Sequence, residues 1–204
     1  YPEIALTCAA LSVILWDLFV KGRGKLEGIV VIALAALGYS GLHGLLAAPT
    51  HVQLFGGLLI ADRVANVFRV FFAFVTGIVI VLSLPTRSKR ASIPVGRGDG
   101  QFFTLLLCVS LGMNFMALSH NMLMIYLSLE MVSVISFVLA GYKLADRKSW
   151  EGALKYAIFG GFSSGIMLYG MSWIFGLTGS LHLPTILGRI VSLTASTGKL
   201  PEAV

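Results

Sequence analysis

Six apolar runs, each close to the thickness of a bilayer, constrain this chain more than any other feature. They are Ile4–Val20, Gly28–Ala48, Ala65–Leu84, Phe102–Ser119, Met122–Tyr142 and Ala153–Gly176. A membrane-spanning helix needs about 20 predominantly apolar residues. Inside hydrocarbon each backbone N–H and C=O must also be satisfied within the segment, which a helix achieves alone. Six buried helices of a water-soluble bundle would each need a polar face at helical spacing, and these runs carry almost no charge. Composition agrees: 57% of the 204 residues are hydrophobic and 12% are charged, about half of the ~25% charged residues of a soluble domain. The expected fold is all-α, a polytopic transmembrane helix bundle of about six spanning helices. A free soluble domain, a disordered chain and a disulfide scaffold are excluded.

The formal net charge of +6 is explained by where the charges lie. Lys21, Arg23 and Lys25 follow the first run, Arg87, Lys89, Arg90 and Arg97 the third, and Lys143, Arg147 and Lys148 the fifth. The other connections and the tail carry Arg63, Arg189 and Lys199. Basic residues mark cytoplasmic loops, so this alternation predicts an N-terminus outside and needs no nucleic-acid partner. The first run lacks a basic leader and the chain starts at Tyr1, so no cleavable signal is expected. Cys8 and Cys108 fall inside runs and read as buried free thiols.

The connections have their own character. Pro49 to Arg63, with Gly56-Gly57 in an apolar patch, is expected to form a short hairpin on the outer face. Pro85 to Gly100 reads as a flexible basic inner loop, because Pro85, Pro94, Gly96, Gly98 and Gly100 oppose regular structure. Its Gly-Arg-Gly-Asp-Gly stretch lacks the preceding strand and the Gly-Lys-Ser/Thr ending of a phosphate loop. After run six, Leu183, Ile186, Leu187, Ile190 and Val191 recur near helical spacing between Pro184 and Gly198. An amphipathic helix along the membrane surface, or the connection to a seventh span, is expected there. Three segments result: 1–101 with three helices and the basic loop, 102–180 with three more, and 181–204 as the amphipathic segment.

Ionisable groups inside a span are costly, and each is therefore a functional candidate. Glu130 is the clearest, eight positions after Met122 and twelve before Tyr142, so roughly 12 Å and 18 Å from the two ends of its span. A glutamate cannot reach water across either distance. A carboxyl held there suits proton or ion handling, and the competing reading is a neutral, hydrogen-bonded structural residue. Lys155, one turn past Glu151, is placed to reach the inner boundary and to pair with Glu151. Antiparallel packing of runs five and six would separate Glu130 and Lys155 by about 12 Å, too far for a direct salt bridge. Asp17 is expected near the inner boundary paired with Lys21, Arg69 as an anchor at the outer boundary, and Asn114 as a hydrogen-bonded bridge between helices. His43 and His120 lack ligand spacing for a metal. Gly160, Gly161, Ser163, Ser164, Gly165 and Gly170 make one side of run six narrow, which suits close helix packing.

These residues also carry a family likeness. Met124-Ile-Tyr-Leu-Ser-Leu-Glu130, Glu151-Gly-Ala-Leu-Lys-Tyr156, Gly160-Gly-Phe-Ser-Ser-Gly165, Leu168-Tyr-Gly170 and Phe175-Gly-Leu-Thr-Gly-Ser180 resemble the antiporter-like membrane subunits of respiratory complex I. Within that group the chain resembles the NADH-quinone oxidoreductase subunit N family, including its opening Pro2-Glu3 and its Trp16-Asp17-Leu18. The resemblance implies a proton-translocating subunit of a bacterial inner-membrane complex, with other membrane subunits as partners. It implies no cofactor or metal in this chain; quinone, NADH, FMN and iron–sulfur clusters would sit in other subunits. Glu130 matches the family's glutamate, which pairs with a lysine on a broken seventh helix, and Lys155 matches the lysine of its Leu-Lys-Tyr motif. The family fold has two inverted five-helix repeats, and runs four to six match the start of the first. The chain is thus expected to be an N-terminal portion of a longer subunit. A cation/proton antiporter or membrane-bound hydrogenase subunit shares the pattern, and a non-transporting membrane scaffold is the remaining alternative.

Overall fold

A computed structural model describes residues 2–20, 24–46, 52–89, 99–143 and 146–197. Seven helices and one hairpin follow in order: α1 Pro2–Phe19, α2 Lys25–Leu46, β1 Val52–Leu54, β2 Leu59–Ala61, α3 Arg63–Lys89, α4 Asp99–Leu118, α5 Met122–Ala140, α6 Arg147–Thr178 and α7 Leu183–Thr197. The first six helices are long and apolar enough to cross a membrane, and each contains one of the six apolar runs for most of its length.

Local chemistry sets the helix ends. Pro2 opens α1, where a missing N–H costs nothing. Asn121 caps α5 by accepting a bond from the Leu123 N–H at 2.9 Å, and Asp146 caps α6 by accepting one from the Lys148 N–H at 3.0 Å. Gly179 ends α6 in the left-handed region at φ 62°, its N–H returned to the Phe175 carbonyl. The Arg189 guanidinium of α7 donates to the Thr178 carbonyl at that same end, a cation placed where the helix dipole is negative. A side chain at position 179 would meet that guanidinium. Gly179→Ala is therefore expected to cost about 1–2 kcal/mol from the left-handed backbone alone. The checking measurement is amide exchange, which should quicken across the α6–α7 junction.

The proline- and glycine-rich stretch after run three departs from expectation. The α3 helix continues through Pro85 to Lys89, and α4 already begins at Asp99. Proline's fixed φ is itself helical, and α3 runs on past the bond that Pro85 cannot donate to the Val81 carbonyl. Residues 90–98 of the expected loop lie outside the described residues. The hairpin between α2 and α3 forms, with Val52 opposite Ala61 and Leu54 opposite Leu59. Its tip, Phe55 to Gly57, has positive φ at all three positions, which explains the glycine pair.

Helices α1 to α4 form a bundle, α5 packs on α4, and α6 packs on α5. The bundle core is a stripe from each helix: Leu6, Ala10 and Val13; Ile29, Ala33 and Leu37; Ala73 and Ile80; Phe103 and Leu107. Two ends can be told apart. At one, the Leu58 carbonyl of the hairpin accepts from the His120 N–H, and the His120 carbonyl accepts from the Leu183 N–H that opens α7. At the other, Lys25 pairs with Asp17 at 3.0 Å, and the Gly100 N–H donates to Asp17 at 3.1 Å. The hairpin, the α4–α5 turn and the start of α7 thus share one end, the alternation that six consecutive spans require.

Several single-residue expectations change. Asp17 pairs with Lys25, and Lys21 lies outside the described residues. Cys8 is exposed on α1 and Cys108 is half-buried, because no described helix covers those flanks. In run six only Gly160 is tightly packed, against the Phe137 ring; a side chain at Gly161, Gly165 or Gly170 would meet open space. Among the described residues α6 has a helix along one side only, so its small residues are not used up by packing within this part of the chain.

Candidate functional site

The α5–α6 pair presents the candidate carboxyl. Helix α5 carries Glu130 in its middle, where apolar neighbours on both sides keep the backbone helical and the side chain far from either end. Three contacts fix its register against α6. Gly141 approaches Ala153, the Phe137 ring meets the Tyr156 ring edge-on with centroids 4.6 Å apart, and Gly160 lets the Phe137 ring lie against the α6 backbone. Extended by the antiparallel geometry, this register brings Glu130 level with Ser164. The Ser164 hydroxyl donates to Glu130 Oε1. Glu130 is half-buried, and the hydrogen bond that holds its carboxyl comes from a neutral donor.

Lys155 sits elsewhere. It lies nine residues before Ser164 on α6, hence about 14 Å along the helix axis from the level of Glu130. Its ammonium pairs with Glu151 at 2.5 Å, and both side chains are largely exposed, at 65% and 59%. The expected i,i+4 pair is present, and a screened pair of this kind contributes little stability. The two candidates occupy one helix pair at different depths and do not touch. Ser164, which the sequence placed only among small packing residues, is the partner of Glu130.

A second ionisable group is buried where an interfacial anchor was expected. Arg69 of α3 is 3% exposed and donates to Glu3 of α1, with a further bond to Asn66 at 2.6 Å. The reason it does not reach the boundary is steric and electrostatic. It projects from the α3 stripe that faces the bundle interior, between Ala65 and Ala73, where the Glu3 carboxylate neutralises it. The signal was available in the sequence. Glu3 and Arg69 each lie within two turns of the hairpin-side end of their run, one acidic and one basic, so helix-depth arithmetic brings them to one level. Asn114 is buried as a bridging residue would be, yet neither of its amide atoms finds a partner among the described residues.

Residues 119–200 match the family described as NADH:quinone oxidoreductase/Mrp antiporter, transmembrane region. Over its whole length the chain is 53% identical to NADH-quinone oxidoreductase subunit N 2 of Sorangium cellulosum, of which it covers 41%. Over 96% of its length it is 40% identical to NADH-quinone oxidoreductase subunit N of an Anaeromyxobacter species, covering 37% of that protein. The chain therefore spans about two fifths of the length of the curated relatives it matches. Among solved structures, respiratory complex I from Thermus thermophilus contains a chain of the same fold. The TM-score is 0.73 at 22% identity, over 97% of this chain and 43% of that one. With six spanning-length helices and these relatives, the chain is a multi-pass membrane protein.

Proposed function

Because the chain belongs to the antiporter-like subunit N family of NADH-quinone oxidoreductases, we propose that it is the N-terminal part of a proton-translocating membrane subunit of such an enzyme. The observation that carries the reading is Glu130, a half-buried carboxyl in the middle of a spanning-length helix, bonded across the α5–α6 contact to Ser164. A neutral hydroxyl can donate to a carboxylate and can accept from a protonated carboxyl, so Ser164 supports Glu130 in both protonation states. Proton affinity at Glu130 would then respond to the separation and charge of a buried cation supplied by the rest of the subunit. Lys155, at the basic end of α6, sets the potential between Glu130 and the inner side, and its pairing with Glu151 is weak enough to rearrange. The chemistry that drives the movement, quinone reduction, takes place in other subunits of the complex, which also hold the redox groups. This chain contributes the Glu130 portion of the membrane-embedded proton path and no redox centre.

The decisive test is quinone-driven proton uptake by vesicles containing the assembled complex with Glu130 replaced. Uptake that survives loss of the carboxyl overturns the reading. A non-transporting scaffold would also retain a stable assembly but would show no dependence on Glu130 chemistry.

The bacterial inner membrane is the proposed location, with the hairpin end on the periplasmic side. Lys25, Arg87, Lys89, Lys143, Arg147 and Lys148 then fall at the cytoplasmic end, as the positive-inside rule requires. In a cysteine-free background, an impermeant maleimide added to intact cells should label Phe55→Cys at the exposed hairpin tip and leave Lys148→Cys unlabelled until the membrane is opened. The reverse pattern would invert the topology.

A further inference from the structure

The hairpin end of the α1–α4 bundle changes character abruptly. The buried stripes, mostly apolar but for Thr76 and Thr104, gather polar side chains at this end: Glu3 in α1, Ser40 in α2, Arg69 in α3, and Ser110 with Asn114 in α4. Contacts at the opposite end place these residues at one level. Asp17 bonds both Lys25 and Gly100, so α1, α2 and α4 share that starting depth. Counting from there, Glu3, Ser40 and Asn114 lie 14, 15 and 14 residues away, about 21 Å up their helices. Arg69 joins the same level by its bond to Glu3, and its Cβ lies 3.6 Å from where a side chain at Gly44 would begin. Ser110, one turn below Asn114, faces the same interior.

Ser40 Oγ, His43 Nδ1, Ser110 Oγ, both amide atoms of Asn114 and Arg69 Nε are buried without a hydrogen-bond partner among the described residues. Buried polar groups are rarely left so, because each orphan keeps its full desolvation cost. The set mixes donors and acceptors: Arg69 Nε–H and Asn114 Nδ2–H donate, Asn114 Oδ1 accepts, and each serine does either. An anion would face the Glu3 carboxylate, and a cation would face the Arg69 guanidinium. Water accepts and donates at once and carries no charge, and it is the ligand whose chemistry fits a net-neutral pair ringed by such groups.

We propose that the hairpin end of the α1–α4 bundle is a closed, hydrated chamber in which Arg69, Ser40, Ser110 and Asn114 hold ordered water against the Glu3–Arg69 pair. The proposal does not depend on the transport reading. It explains why two serines and an asparagine occupy fully buried positions at this end, where the buried stripes below are mostly apolar.

The test uses the assembled complex carrying the full-length subunit. A cryo-EM map fine enough to resolve water should show ordered density within hydrogen-bond distance of the Asn114 amide and of Arg69 Nε. Density absent there, or an Asn114 amide bonded directly to protein groups, overturns the proposal. The sign of one substitution provides a second arm. Asn114→Leu should lower the melting temperature of the complex by several degrees, because it displaces water on which three other groups depend. An unchanged or raised melting temperature would mean the interior is dry, and would also overturn it.

Discussion

In the assembled complex, Glu130→Gln is expected to reduce quinone-coupled proton translocation by about tenfold or more, in the direction of the ~10²-fold loss typical when a positioned proton-transfer group is removed. Electron transfer from NADH to an artificial acceptor in the peripheral part should be unchanged. The substitution is chosen because it removes titration while preserving shape. A glutamine carbonyl still accepts from the Ser164 hydroxyl across the α5–α6 contact, so helix packing is held constant while the exchangeable proton is lost. Glu130→Asp separates the two effects in the opposite sense. It keeps a carboxyl but draws it back by one methylene from Ser164, and it should retain a substantial part of the activity. Paired measurement of proton uptake and quinone reduction in reconstituted vesicles checks both variants.

The second large effect is on stability. Arg69→Met should destabilise the subunit by about 3–5 kcal/mol, because it leaves the Glu3 carboxylate buried without its cation. The double variant Glu3→Gln with Arg69→Met should recover a good part of that loss, since two neutral side chains leave no isolated charge behind. Denaturation of the full-length subunit in detergent or lipid measures the cycle. Equal losses in the single and double variants would show that the pair is held by packing and not by charge. Glu130→Gln should leave stability nearly unchanged, which keeps the two predictions experimentally distinct.

Run length and hydropathy made the architecture legible, because a bilayer imposes one secondary structure and a narrow range of lengths. Each of the six expected spans lies within a helix of the structure to within a few residues, and the hairpin and α7 also stand where turn residues and helical spacing put them. The differences arise where one residue's propensity was opposed by its neighbours. Pro85 did not end α3, although its ring forfeits one backbone bond and crowds the carbonyl one turn earlier. The depth of Glu130 and its separation from Lys155 could be counted along helices of fixed rise, but the identity of its partner could not. Which side of α6 faces α5 depends on where Phe137 and Gly160 interlock, a tertiary fact that the uniformly apolar flanks do not encode. Arg69 shows the same limit: its depth followed from the sequence, whereas its direction, inward to Glu3, required the bundle.

The claim on which the account rests is that Glu130 changes protonation as the enzyme turns over. Infrared difference spectroscopy of the assembled complex, comparing resting and quinone-reducing states, tests it directly. The account predicts a turnover-linked band from the C=O stretch of a carboxylic acid gaining or losing its proton, one that disappears in Glu130→Gln. A difference spectrum whose carboxyl region is identical in the two proteins would contradict it.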